Sequence, residues 1–134
     1  MVGDSDALIA ILHRHDAHFE VARTTLQTIV NRQFLLVFPI TTVIETITAI
    51  HRKLQDPDLV QRVIDRIEQG GMALEPVDAD LYRDALTIFN PSGSKNNTLF
   101  DAVVAATANR YRAKYIFSFD RWYEKLGFTL AKDL

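Results

Sequence analysis

The sequence predicts an α/β fold, a three-layer arrangement in which a mainly parallel sheet of about five strands is covered by helices on both faces. Two observations carry this. Short apolar runs of strand character alternate with longer stretches whose apolar residues recur every three or four positions. Such alternation joins neighbouring parallel strands through right-handed helical crossovers. Residues 1–134 are expected to form one domain without an internal repeat, and only residues 90–97, from Asn90-Pro91 to Asn96-Asn97, read as a clear loop.

Taken in order, only Met1-Val2-Gly3 precede Asp4 as a first strand. Residues 7–12 are apolar and run into His13-Arg14-His15-Asp16, which ends a short helix. From His18 to Val30 a second helix shows Phe19, Ala22, Leu26 and Ile29 at helical spacing. Phe34-Leu35-Leu36-Val37-Phe38, closed by Pro39, suits a buried strand. A helix from Thr42 to about Leu54 is interrupted by Asp56-Pro57, a cap and a first helical position, and the helix they open ends at Gly70-Gly71. Met72 to Val77 reads as a third strand, and Asp78 caps a helix through Phe89. Thr98 opens a helix with a small-residue face of Ala102, Ala105, Ala106 and Ala108, suited to close packing on a sheet. Tyr115-Ile116-Phe117 and, after Gly127, Phe128-Thr129-Leu130 supply the last two strands.

A chain of 134 residues buries roughly two thirds of the surface that its unfolded form exposes, so it needs no covalent staple. The absence of cysteine excludes disulfides and thiolate ligands and suits a reducing cytoplasm. With 15 basic against 17 acidic side chains, no global positive field advertises a nucleic-acid partner. No run approaches the roughly 20 apolar residues that span a bilayer, and the N-terminus lacks a signal peptide's pattern, so a cytoplasmic protein is expected.

Four acids stand where a strand-like run gives way to a helix: Asp4, Glu45, Asp101 and Asp120. Parallel strands deliver their carboxyl ends to one edge, so these residues can converge on one cavity. A purely structural role competes at each. Thr42-x-x-Glu45 and Thr98-x-x-Asp101 both resemble capping boxes, and Asp4 and Asp120 can cap the helices after them. Crowding is what separates the two readings. Two carboxylates about 4 Å apart repel by roughly 4 kcal/mol at an effective dielectric of 20, so a cluster needs protons or a cation, whereas caps do not. Oxygen ligands without cysteine favour Mg²⁺ or Mn²⁺. The chemistry natural to such an ion is phosphodiester hydrolysis.

Asp4-Ser5-Asp6-Ala7-Leu8-Ile9-Ala10, then Glu45, then Asp101 to Ala108, then Ser118-Phe119-Asp120 together resemble the PIN-domain ribonucleases, and most closely the VapC toxins of type II toxin–antitoxin pairs. The resemblance covers essentially the whole chain. It implies an α/β/α sandwich of strand order 3-2-1-4-5 and a metal-dependent endoribonuclease. Asp4, Glu45 and Asp101 would hold Mg²⁺ or Mn²⁺, and Asp120 would complete the cavity. Ser118 would orient a water or a carboxylate, and Asp6, where the family has a small polar residue, would support them. It further implies RNA as substrate, a homodimer, and an antitoxin whose helical tail covers an apolar groove walled by residues 42–69 and the N-terminal helices. The one departure is the first strand, which the family makes four or five residues long.

Lys95 and Arg121 are the candidates to hold the RNA backbone, followed by Arg14 and Arg52, although surface lysines and arginines are most often simply solvated. His13, His15 and His18 show no metal-ligand spacing. Trp122 and Tyr123 are read as base-stacking or core-covering residues. Three rivals remain: a haloacid-dehalogenase-like phosphatase using Asp4 as nucleophile and Asp6 as acid/base, a receiver domain, whose acceptor Asp should end the third strand where this chain has Glu75-Pro76, and a non-catalytic PIN-like binding module.

Overall fold

A computed structural model describes residues 1–134. Five parallel strands lie in the order β3-β2-β1-β4-β5: β1 Val2–Gly3, β2 Val37–Pro39, β3 Ala73–Glu75, β4 Tyr115–Phe117 and β5 Thr129–Leu130. The helices between them are α1 Ser5–Leu12, α2 Phe19–Asn31, α3 Ile40–Ala49, α4 Pro57–Glu68, α5 Ala79–Ile88, α6 Leu99–Arg110 and α7 Trp122–Lys125. A π-helical turn, Ile50–Leu54, extends α3, and a 3₁₀ turn, Ala131–Asp133, closes the chain.

The first strand is both short and central, pairing Val2 with Val37 on one side and with Ile116 on the other. Two residues suffice because both are buried and tightly packed. A Cβ at Gly3 would stand 2.2 Å from the Phe38 ring, so only glycine fits there. Val2, Ile116 and Leu130 point to α6 and Tyr123, forming one core with Val104, Ala105 and Ala108. Phe117 points the other way, to Ala7, Ala10, Ala22 and Ile29 of α1 and α2. Residues 102 to 108 of α6 are buried without exception. The expected alanine face explains how that helix sits so close to β1, β2 and β4.

The second strand departs from expectation. It spans Val37–Pro39 rather than 34–38, and helix α3 starts at Ile40 rather than Thr42. Leu35 is 63 % exposed, and its carbonyl accepts the Met1 ammonium at 2.7 Å. Pro39 is tolerated inside β2 because β1 has already ended: Pro39 pairs only with Glu75 of β3, so its missing N–H leaves no partner unmet. No helix is long and apolar enough to cross a membrane.

Candidate active site at the carboxyl edge of the sheet

Asp4 is the first residue beyond β1 and still belongs to the sheet, since its N–H donates to the Phe117 carbonyl at 3.0 Å. Its extended backbone turns the side chain inward at the start of α1, where it is only 3 % exposed. Oδ1 accepts the Ser5 N–H at 2.6 Å. Oδ2 accepts the Tyr123 hydroxyl at 2.8 Å and lies 3.2 Å from Ser118 Oγ. Asp6, in the first turn of α1, is held at both oxygens: Oδ1 by the Ala7 N–H at 2.6 Å, Oδ2 by the Phe119 N–H at 2.8 Å and Ser118 Oγ at 3.0 Å.

Ser118 directly follows β4, is buried, and ties three acids together. Its hydroxyl accepts the Asp120 N–H at 3.0 Å, and its single proton serves Asp4 and Asp6. Asp120 accepts the Trp122 N–H at the start of α7 and, from the long loop, the Asn97 side-chain amide at 2.7 Å. Asp101 closes a full capping box with Thr98, whose N–H and hydroxyl both donate to its Oδ2. Glu45 lies in the second turn of α3. The end of α3 that it adjoins has no side-chain cap, and the charged form of Glu45 is favoured by the Ser5 side chain.

These carboxylates lie in one another's fields. Burial first, then the charges of Asp6 and Asp101, push Asp4 from 3.8 up to about 8. Burial also raises Glu45, with the charges of Asp101 and Asp6 adding to it, and raises Asp101, to which the charge of Asp120 contributes. Asp6 is raised mainly by burial, against the pull of the Phe119 N–H and Ser118. None of the five forms an ion pair; the salt bridges lie elsewhere, at Arg83–Asp80, Arg110 with Glu75 and Asp78, and Arg121–Glu124. Lys53 is the one cation that acts on Glu45, and it ranks last among the causes.

The PIN domain family matches residues 1–128. The chain belongs to that family. Among solved structures this PIN domain shares its fold with VapC20 of Mycobacterium tuberculosis, described as a sarcin-ricin-loop-cleaving toxin. The TM-score is 0.80 at 16 % identity, over 96 % of this chain and 95 % of that one. A search by sequence among curated proteins found no match.

The cationic candidates of this PIN domain are less gathered than its acids. Arg121 is exposed and paired with Glu124 at 2.8 Å, and Lys95, Arg14 and Arg52 are exposed on the surface. His13 and His15 meet edge to face with ring centres 5.7 Å apart, and His18 stacks on Phe119 at 4.2 Å. Sequence reasoning missed two polar contacts, those of Tyr123 and Asn97. An aromatic three residues after Asp120 reads as core, and Tyr123 is indeed fully buried. The hint lay in its hydroxyl, which a buried tyrosine brings to a partner.

Proposed function

We propose that this PIN domain is a metal-dependent endoribonuclease, the toxin of a toxin–antitoxin pair, with Asp4, Glu45 and Asp101 as the principal metal ligands. PIN domains are nucleases, and the toxin reading follows the likeness to VapC20. The observation that carries the metal reading is the burial of Asp4, sharing the Ser118 hydroxyl with Asp6, among acids that have no cationic partner. A protein gains nothing in stability from such crowding unless a cation is to offset it.

The residues fit Mg²⁺ or Mn²⁺ better than an ion that demands a cage. Every available donor is oxygen, and because no three His, Asp or Glu side chains stand close enough to hold an ion by themselves, Asp4, Glu45 and Asp101 would reach it in part through water. Mg²⁺ keeps several waters and uses one or two carboxylates plus substrate phosphate oxygens, which suits an open acidic cleft. Bound there, it would supply charge neutralisation at the phosphate and an acidified water. Asp120, steadied by Asn97, would hold a water at the far side of the cleft, Ser118 would fix Asp4, and Asp6 would support both through the Phe119 backbone. Lys95 and Arg121 would meet the RNA backbone after Arg121 leaves Glu124. Asp6 is held by two backbone N–H groups and Ser118, which argues against the phosphatase reading, since that needs the carboxyl free to exchange a proton.

A groove of about 660 Å³ bordered by Leu8, Leu12, Leu26, Phe38, Leu59 and Met72 supports an antitoxin segment as a partner, between the walls expected for it. A homodimer is supported by exposed apolar residues on neighbouring helices: Ile40 and Ile44 of α3, Tyr82 and Leu86 of α5, and Phe100 of α6, with α3 and α5 both packed on α6. The cytoplasm is the compartment proposed. The deciding experiment is cleavage of structured RNA by the purified protein with and without Mg²⁺ or Mn²⁺. Metal-dependent cleavage lost in Asp101→Asn is expected; cleavage unaffected by chelation would overturn the reading, and no cleavage of any RNA would leave a binding module.

A further inference from the structure

We infer that Tyr123 is a positioning residue for the metal site: its buried hydroxyl donates to Oδ2 of Asp4 and fixes the orientation in which that carboxylate meets an ion. The inference rests on the metal site proposed above and adds a residue to it.

The argument is a count of lone pairs. An ionised carboxylate offers about four acceptor sites. On Asp4, Oδ2 receives Tyr123 at 2.8 Å and faces Ser118 Oγ at 3.2 Å, while Oδ1 receives only the Ser5 N–H. Ser118 has one proton to give, and the shorter of its two carboxylate contacts is to Asp6, at 3.0 Å. Tyr123 is therefore the committed donor on Oδ2.

The phenol cannot readily turn away. Tyr123 is fully buried, and its ring packs with Val2, Val104, Ala105, Ala108, Ile116 and Leu130. The contact spans 119 positions of sequence and fixes the carboxylate plane of a residue that has little strand before it. Partners one bond away from a ligand set its orientation and its affinity for metal.

The test is Mn²⁺ binding to the RNA-free protein by calorimetry, for wild type, Tyr123→Phe and Asp4→Asn. Tyr123→Phe keeps the ring and is expected to bind Mn²⁺ about tenfold more weakly. The Mn²⁺ needed for half-maximal RNA cleavage should rise in step, while the rate at saturating Mn²⁺ stays within about twofold of wild type, a split that a packing defect would not produce. Asp4→Asn is expected to bind no Mn²⁺ in this range. Wild-type affinity in Tyr123→Phe, with binding lost in Asp4→Asn, overturns the role of Tyr123 and leaves the cleft standing. Wild-type protein that takes up no Mn²⁺, or Asp4→Asn that binds like wild type, overturns the cleft and this inference with it. A crystal structure of wild type soaked in Mn²⁺ decides independently of how any variant folds. An ion on Asp4 with the Tyr123 hydroxyl still donating to that carboxylate supports the inference, and an ion on Asp4 with Tyr123 turned away from it refutes it.

Discussion

Helices α3 and α6 carry the same four-residue signature, a threonine followed three positions later by an acid, and the structure uses it in opposite ways. At α6, Thr98 is the cap and Asp101 completes the reciprocal box. At α3 the helix has already begun at Ile40, so Thr42 is a buried helical residue and Glu45 caps nothing. The difference comes from Pro39, which stays in the strand and lets the helix start two residues sooner. A capping signature is thus only as good as the helix start it presumes. Glu45 is left without a capping role and is raised mainly by burial, whereas Asp101 completes the α6 box while lying in the field of the other acids.

The largest expected effect treats the two acids alike. Glu45→Gln and Asp101→Asn should each lower RNA cleavage at saturating metal by at least about 100-fold, because several kcal/mol of charge stabilisation depend on the ligand set. A Glu45→Gln enzyme of full activity would break the comparison, leaving α3 without either role.

The pH dependence of stability should separate them. Without divalent cation, the folded state keeps the Asp4 proton up to about pH 8, while the unfolded chain gives it up near 3.8. Between those values the folded state binds more protons than the unfolded, so stability falls as pH rises and levels off above about 8. Asp101 is among the charges that raise Asp4, and Glu45 is not. Asp101→Asn should therefore flatten this fall in urea titrations across pH more than Glu45→Gln does. Equal slopes would mean that the two acids share one field.

A smaller effect concerns the helices themselves. Thr98→Ala should cost about 1 kcal/mol in denaturant unfolding through loss of the cap. Smaller still is the contrast between two buried threonines. Thr46 Oγ1 in α3 has no hydrogen-bond partner, while Thr107 Oγ1 in α6 donates to the Val103 carbonyl at 2.8 Å. Thr46→Val should gain up to about 1 kcal/mol, and Thr107→Val should lose less than about 1 kcal/mol. Loss of stability in Thr46→Val would show that its hydroxyl has a partner in solution.

Much of this was legible in the sequence. Alternation gave the parallel layers, Asp56 and Asp78 proved to be caps as their neighbours implied, and the spacing of the acids pointed to one edge of the sheet. What stayed hidden depended on distance rather than pattern. Whether Pro39 closes β2 or belongs to it is set by where β1 ends, in another part of the chain. That Tyr123 reaches Asp4 and Asn97 reaches Asp120 is set by tertiary packing, since the same residue types are commonplace in cores and loops. Asp6 carried a sign of support in its sequence place, and its three donors bear out how closely it is held.

The short central strand has one more consequence, for the life of the chain during synthesis. Asp4 is made well before two of the groups that hold it, Ser118 and Tyr123, which come 114 and 119 positions later. The β1–β4 pairing likewise joins strands far apart in sequence, which makes for slow, late assembly. A chain broken off before residue 118 keeps the leading acid and its Ser5 contact but lacks both hydroxyls that orient the other oxygen. The activity proposed here would then depend on the β4–α7 segment being in place.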